Sequence, residues 1–549
     1  MPNLLPRLGV LAVVVILLLA TVGGAWAQPV TPPAPVAAPP VVAPVPLVPP
    51  VAVKPPPVRR EFRGVWLATV SNIDWPSRPG LTTDEQKAEL LLILDRAKAL
   101  NLNAVLFQVR PACDALYASP FEPWSEVLSG QMGGKPEPYY DPLEFAVTEA
   151  KRRGLELHAW FNPFRVRLNA DSPNPVSADH VSKIHPYWVR RYGKMLWLDP
   201  GELAARDYSL AVVADMVRRY DVDGIHIDDY FYPYKITDAS KTEVEFPDDA
   251  PWVRYQTSGG TLGRADWRRS NIDDFVERMY RQTKAAKPWV KVGISPFGIW
   301  RPGFPAPIKG FDSYEGLYGD SRRWLHEGWA DYFSPQLYWP IEQTPQSFPM
   351  LLAWWASENT LARHLWPGSF TSKASAPTSP DTAWTPEEIE YQIKTTRGIA
   401  GATGNVHFSA KFLLSGTIQD PGLPRTLSQT VYAQPALVPA SPWLAPEGAA
   451  PPQTPIDLTA TPGAAGWVVS WRSVPTAALA WQWVIQSRVG GAWSTVILPG
   501  DTTTCTIPAP ATPGTSDTVA VSAVNRVGAL GAPAVAVLPN PPSPFPKRS

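Results

Sequence analysis

A chain of 549 residues exceeds one ordinary hydrophobic core, so a large domain with a smaller companion is expected. Its 49 basic and 49 acidic residues cancel, and no basic stripe runs along it that would track a phosphate backbone, which argues against nucleic acid as a partner. The two cysteines, Cys113 and Cys505, fall in different predicted domains, so no structural disulfide is expected and the fold must rest on its core.

The chain opens with Arg7, an apolar run over residues 8–22, and Ala25 and Ala27 flanking Trp26. This is the pattern of an export signal over residues 1–27, cleaved after Ala27. The apolar run is shorter than the roughly 20 residues a membrane span needs, so membrane contact is expected only through the signal if it stays uncleaved. The expected location is the periplasm, the cell envelope or outside the cell. Residues 28–58 are almost entirely Pro, Val and Ala, a composition of extended spacers rather than packed cores.

From residue 59 the pattern changes to β-type runs alternating with amphipathic helical ones. Strands are predicted over 62–70, 104–110, 156–161, 222–228, 290–296, 332–338, 365–370 and 406–412. Between them lie predicted helices over 84–100, 142–153, 204–220, 264–286, 321–328, 347–358 and 386–397, the first with an apolar stripe at Leu90, Leu91, Leu94 and Ala97. The order implies an α/β fold, a (β/α)8 TIM barrel over residues 59–420. A second Pro-rich linker, 421–455, precedes residues 456–540, where short alternating runs separated by Gly, Pro, Thr and Ser suit a small all-β sandwich. The run from Val519 to Gly528 resembles the penultimate strand and turn of a fibronectin type III domain, without its usual tyrosine.

The richest stretch chemically is Asp221-Val222-Asp223-Gly224-Ile225-His226-Ile227-Asp228-Asp229-Tyr230-Phe231-Tyr232-Pro233. Alternation along a strand places His226 and Asp228 on one face and Ile225, Ile227 and Asp229 on the other, so Asp228 points to the barrel axis. Barrel enzymes work at the C-terminal ends of their strands. Carboxylates beside stacking rings are what glycosidic bond cleavage requires, and the 24 tryptophans suit the apolar faces of sugars. Asp228 and Asp229 are therefore the candidate catalytic pair.

The loop after the second strand supplies Gln108, Arg110, Asp114 and Tyr117, followed by Glu122 and Trp124. Arg110 reads equally as a bidentate holder of a substrate carboxylate and as a brace for an acid of its own loop. At the third strand end Trp160 suits stacking, and Asn162 suits a hydroxyl or acetamido group. Tyr230, Tyr232, Gln336, Tyr338 and Trp339 complete the candidate binding set, with His226. His158 and His226 lie deeper and read as hydrogen-bonded core histidines. A metal site of His158, His226 and Asp228 lacks the usual histidine spacing, so neither metal nor other cofactor is expected.

The motifs Glu61-Phe62-Arg63-Gly64-Val65-Trp66, Asn72-Ile73-Asp74-Trp75-Pro76, Gln108-Val109-Arg110-Pro111, His158-Ala159-Trp160-Phe161-Asn162-Pro163, the Asp223 to Pro233 segment, and Ser295-Pro296-Phe297-Gly298-Ile299-Trp300 together resemble the glycosyl-hydrolase-like family 10 of bacterial exported proteins, over residues 59–415. The resemblance implies a TIM barrel and, in envelope members, hydrolysis of peptidoglycan glycan strands stripped of stem peptides. Two mechanisms stay open. Asp228 stands where α-amylase-like enzymes carry a covalent nucleophile, although no acid follows on the fifth strand. Alternatively, Asp228 and Asp229 act as the adjacent acids of a substrate-assisted hexosaminidase, the favoured reading. A non-catalytic carbohydrate-binding barrel and a hydrolase of another polysaccharide are the alternatives, and the sandwich reads as a spacing or adhesion module.

Overall fold

Eight parallel strands follow one another around a closed ring. They are β1 (Phe62–Leu67), β2 (Ala104–Arg110), β3 (Glu156–Phe161), β4 (Gly224–Ile227), β5 (Lys291–Ile294), β6 (Tyr332–Phe333), β7 in two pieces (His364–Leu365 and Gly368–Ser369) and β8 (Gly404–His407). Each pairs with the next, and β8 returns to β1. The first piece of β7 pairs with β6 and the second with β8, so this one segment closes the barrel. Trp366 N donates to Phe333 O at 2.8 Å on one side, and Val406 N to Pro367 O at 3.0 Å on the other. The computed structural model describes residues 54–375, 384–414, 416, 419, 422–475, 479–509 and 517–539. The expected export signal and most of the first Pro-rich spacer lie outside the described residues.

Local chemistry sets the crossover helices. Thr82 and Glu85 form a reciprocal cap that opens Thr83–Ala99, and this helix buries Leu90, Leu94 and Ala97. Asp141 accepts from the Leu143 and Glu144 amides at 3.0 and 3.1 Å to start Pro142–Arg152. Between the strands and the helices lies one continuous apolar layer to which Ile225 and Ile227 belong. The barrel interior is a separate cluster containing Phe62, Trp66, Leu106, Trp160, Tyr332 and Trp366, with Phe62 and Trp366 stacked at 3.7 Å.

Two expectations are revised. The described part of the expected linker 421–455, residues 422–455, is packed against the barrel: Leu423–Gln429 is helical and buries Leu423 and Leu427, the Tyr432 hydroxyl meets His407 Nε2 at 2.8 Å, and Trp443 donates to Asp331 at 2.8 Å. Prolines end regular structure without preventing burial, and here Leu, Val, Tyr and Trp between them supply the packing surface. The last barrel strand ends at His407, with Ala410–Leu413 helical, where the β-type run suggested continuation to residue 412.

The described residues between 456 and 539 form two facing antiparallel sheets. One holds Ile456–Gly463, Gly466–Arg472 and Thr504–Pro508. The other holds Ala492–Pro499, Gln482–Val489, Thr518–Val524 and Ala534–Val537. Trp467, Trp471, Trp483, Ile485, Val519 and Val521 fill the space between them. This sandwich sits on the floor of the barrel, where loops lead into the strands. Gln482 donates to Gly154 O at 2.8 Å, Arg526 pairs with Asp221 at 2.6 Å, and the same guanidinium covers Trp481 at 4.4 Å.

Candidate functional site

Down the barrel axis runs a single chain of hydrogen bonds whose protons can be assigned one by one. Trp66 Nε1 reaches His226 Nε2 at 3.0 Å, and an indole nitrogen can only donate. His226 therefore carries its proton on Nδ1, which meets the Tyr332 hydroxyl at 3.0 Å. That hydroxyl donates to His158 Nδ1 at 2.8 Å. His158 is left with its proton on Nε2, facing Glu156 at 3.1 Å, and Lys291 completes the column by binding Glu156 at 2.9 Å. Burial holds both histidines below their ordinary pKa, in keeping with neutral rings. Gly224 and Gly293 make room for the column: a Cβ at Gly224 would stand 2.6 Å from His158 Nδ1, and one at Gly293 would stand 1.8 Å from the Tyr332 ring. With both nitrogens of each imidazole engaged, neither is presented to a metal. Among the described residues no three His, Cys, Asp or Glu side chains converge as a metal site.

Above this column lies a cavity of about 210 Å3. Its lining comes from the C-terminal ends of seven strands: Trp66 from β1 with Ala68 and Val70 after it, Gln108 from β2, Trp160 from β3, Asp228, Asp229 and Tyr230 after β4, Ser295 after β5, Gln336 and Tyr338 after β6, and Phe408 after β8. Arg165, just past β3, also borders it. Asp228 and Asp229 are the only carboxylates among the described residues that line it.

Asp228 accepts from Trp160 Nε1 at 3.2 Å and from the Asn162 amide at 3.0 Å. Burial pushes its pKa up to about 6, against the pull of Arg165 and with a further push from Asp229. Asp229 is also raised by burial, while the Tyr234 hydroxyl and the Gln336 side chain favour its ionised form. The two acids thus sit in unequal surroundings, which is the arrangement that separates an acid from its conjugate partner. Strand alternation had turned Asp229 away from the axis. The strand ends at Ile227, so alternation stops there and both carboxylates reach the cavity.

Of the residues singled out from sequence, Gln108, Trp160, Tyr230, Gln336 and Tyr338 line the cavity with the two acids. His226 lies beneath it, and Asn162 acts through Asp228. Gln108 is held in place by the Thr69 and Val70 amides at 3.0 and 2.9 Å. Arg110 is elsewhere: its guanidinium is locked on Glu122 at 2.8 and 2.6 Å and on the Asn162 carbonyl at 2.7 Å, fully buried. It braces the loop. Tyr117 and Tyr232 are core residues, each meeting another ring edge-on, Tyr220 and Tyr318 respectively. Trp124 packs on Tyr139 outside the cavity, Trp339 packs on Phe297, and Asp114 borders a neighbouring cavity.

Arg165, Tyr234 and Phe408 were not anticipated. Arg165 lies over the Tyr230 ring at 4.3 Å, and the readable signal was its place two residues beyond the strand-end Pro163. Rings border the cavity: Trp66, Tyr338 and Phe408 pack together, and Trp160 and Tyr230 join them in the lining, with Tyr234 behind Tyr230, edge-to-face at 5.6 Å. Such walls suit a pyranose with two apolar faces.

The profile of the family described as glycosyl hydrolase-like 10 matches residues 61–386. Glycosyl hydrolase YngK of Bacillus subtilis (strain 168) is 42% identical over 392 residues, spanning 70% of this chain and 74% of the relative. Glycosyl hydrolase DigH of Escherichia coli (strain K12) is 34% identical over 378 residues, spanning 64% of this chain and 83% of the relative. Among solved structures, the PgaB (BpsB) glycoside hydrolase domain from Bordetella bronchiseptica aligns with a TM-score of 0.42 at 15% identity, covering 65% of this chain and 95% of that one.

Proposed function

The chain belongs to the glycosyl hydrolase-like 10 family, and from that premise we propose that it is an exported glycoside hydrolase that cleaves N-acetylated cell-wall glycan, with peptide-free peptidoglycan strands as substrate. The observation that carries the reading is the pair Asp228 and Asp229 in one ring-lined cavity, with Asp228 pushed up to about 6. A carboxyl group that keeps its proton near neutrality can protonate a leaving glycosidic oxygen. An ionised neighbour can hold the N–H of a 2-acetamido group so that its carbonyl oxygen attacks the anomeric carbon. In this scheme Asp228 is the general acid and Asp229 the orienting carboxylate. Water then opens the cyclic intermediate, with Asp228 returning as base, and the anomeric configuration is retained. The alternative with Asp228 as covalent nucleophile needs another acid, and β5 ends in Ser295 and Pro296 without one.

The apolar leader supports export. Envelope members of the family, as the resemblance implies, act on peptidoglycan glycan. The two-sheet domain is read as a fibronectin type III-like module. The test is proton NMR of the products formed first from peptide-free strands. New anomeric signals of the configuration present in the substrate support the scheme, and the opposite configuration excludes it.

A further inference from the structure

We propose that a second cavity beside the paired acids is a subsite for a sugar residue bearing a carboxylate, and that Arg167 recognises that carboxylate. The assignment rests on reading the acid-bearing cavity as the glycan site. The second cavity, about 290 Å3, is near the lower end of small-ligand pockets, roughly 300 Å3. Val70 borders both cavities, so they adjoin, and a chain occupying the first has its next residue at the second.

The charge pattern points to the ligand. Of the other six buried arginines, five have carboxylate partners: Arg63 with Glu61, Arg110 with Glu122, Arg206 with Asp274, Arg268 with Asp248, and Arg269 with Asp266. The sixth, Arg165, borders the first cavity and acts electrostatically on Asp228 and Asp229. Arg167 is only 6% exposed and forms no ion pair among the described residues. It makes one hydrogen bond, from Nη2 to the Asn174 carbonyl at 2.7 Å, and its Nε has no partner. A desolvated guanidinium without an anion is unfavourable, and its natural complement is a carboxylate bound through two parallel hydrogen bonds. The acids bordering the same cavity are already engaged. Asp114 accepts from the Ala112 amide at 3.0 Å and from Ser125, and Glu126 accepts from the Asn174 side chain at 3.1 Å. Ser71, Asn72, Asn169 and Ser172 add groups suited to sugar hydroxyls.

The test compares peptide-free peptidoglycan strands with the same strands after their lactyl carboxyl groups are reduced to alcohols. Dissociation constants are measured on Asp228→Asn protein, which leaves the strands intact. The carboxylate form should bind about tenfold more tightly. Adding Arg167→Gln should abolish the difference, and Arg167→Lys should keep part of it. Equal affinity for the two strands overturns the proposal without recourse to any Arg167 variant, and so does binding of neither. Product release by the otherwise unaltered protein reports separately on the glycosidase reading. Cleavage of both strands with equal KM removes the carboxylate subsite and keeps the hydrolase. Carboxylate-dependent binding without cleavage keeps the subsite and removes the hydrolase.

Discussion

The Trp66 indole donates to His226 Nε2 at 3.0 Å, and that contact ties one ring of the sugar-sized cavity to a polar column reaching the barrel floor. Tyr332 is the middle member, held between His226 and His158. Tyr332→Phe leaves two buried imidazole nitrogens unpaired, a cost of about 1–3 kcal/mol. Denaturant unfolding should show that loss, and kcat/KM should fall as His226, the partner of Trp66, loses the hydroxyl that fixes its ring. Unchanged stability would contradict the assigned column.

Asp228→Asn should be more stable than the parent protein at pH 7.5. Burial raises the folded pKa to about 6, against about 3.9 in an unfolded chain. Below about pH 3 the group is protonated in both states and contributes nothing. As pH rises from about 3 to about 6 the unfolded chain releases the proton first, so native stability drops by up to about 3 kcal/mol and stays lower above that. Thermal unfolding of the two proteins should coincide at about pH 3 and separate at about pH 7.5, with the variant higher. A variant that melts lower at pH 7.5 would refute the raised pKa.

Activity should follow a bell in pH. Asp228 must hold its proton, so kcat/KM falls as pH rises through about 6. Asp229 must be ionised, so activity also falls at low pH, at a value above that of an ordinary aspartate because burial raises it. Tyr234→Phe removes a donor to the ionised form and should move the acid limb upward. An acid limb unmoved by that change would remove Asp229 from its role.

Removal of residues 452–549 exposes the barrel-floor groups they cover: Asp221, paired with Arg526, the Gly154 carbonyl, which accepts from Gln482, and Lys151, which lies over the Trp481 ring at 5.1 Å. The truncated barrel should melt several degrees lower. At temperatures where it remains folded it should cleave soluble strands as before, because the cavity lies at the opposite end of the strands. Loss of activity on short oligosaccharides by a folded truncation would contradict this.

The barrel was legible because its elements carry strong local signals. Helix Arg264–Ala286 and strands Ala104–Arg110 and Glu156–Phe161 have the expected bounds, set by apolar periodicity and by turns such as the one at Gly154. The short strands were overextended: Tyr332–Phe333 stops before Pro335, which has no N–H for the ladder. The acids and several ring and amide residues of the cavity were readable from strand-end position alone. Which guanidinium faces the cavity was not, since Arg110 is diverted by Glu122, twelve residues on, while Arg165 sits beyond a strand end with no acid close to it in sequence. The column of Trp66, His226, Tyr332 and His158 joins four strands, a relation only the closed barrel creates.

Mass spectrometry of the products from peptide-free peptidoglycan strands, incubated with the protein and with its Asp228→Asn and Asp229→Asn variants, tests the central claim most directly. Oligosaccharides with new reducing hexosamine ends from the unaltered protein, absent with either variant, are the predicted result. Retained cleavage in both variants, or intact strands with the unaltered protein, would contradict the account.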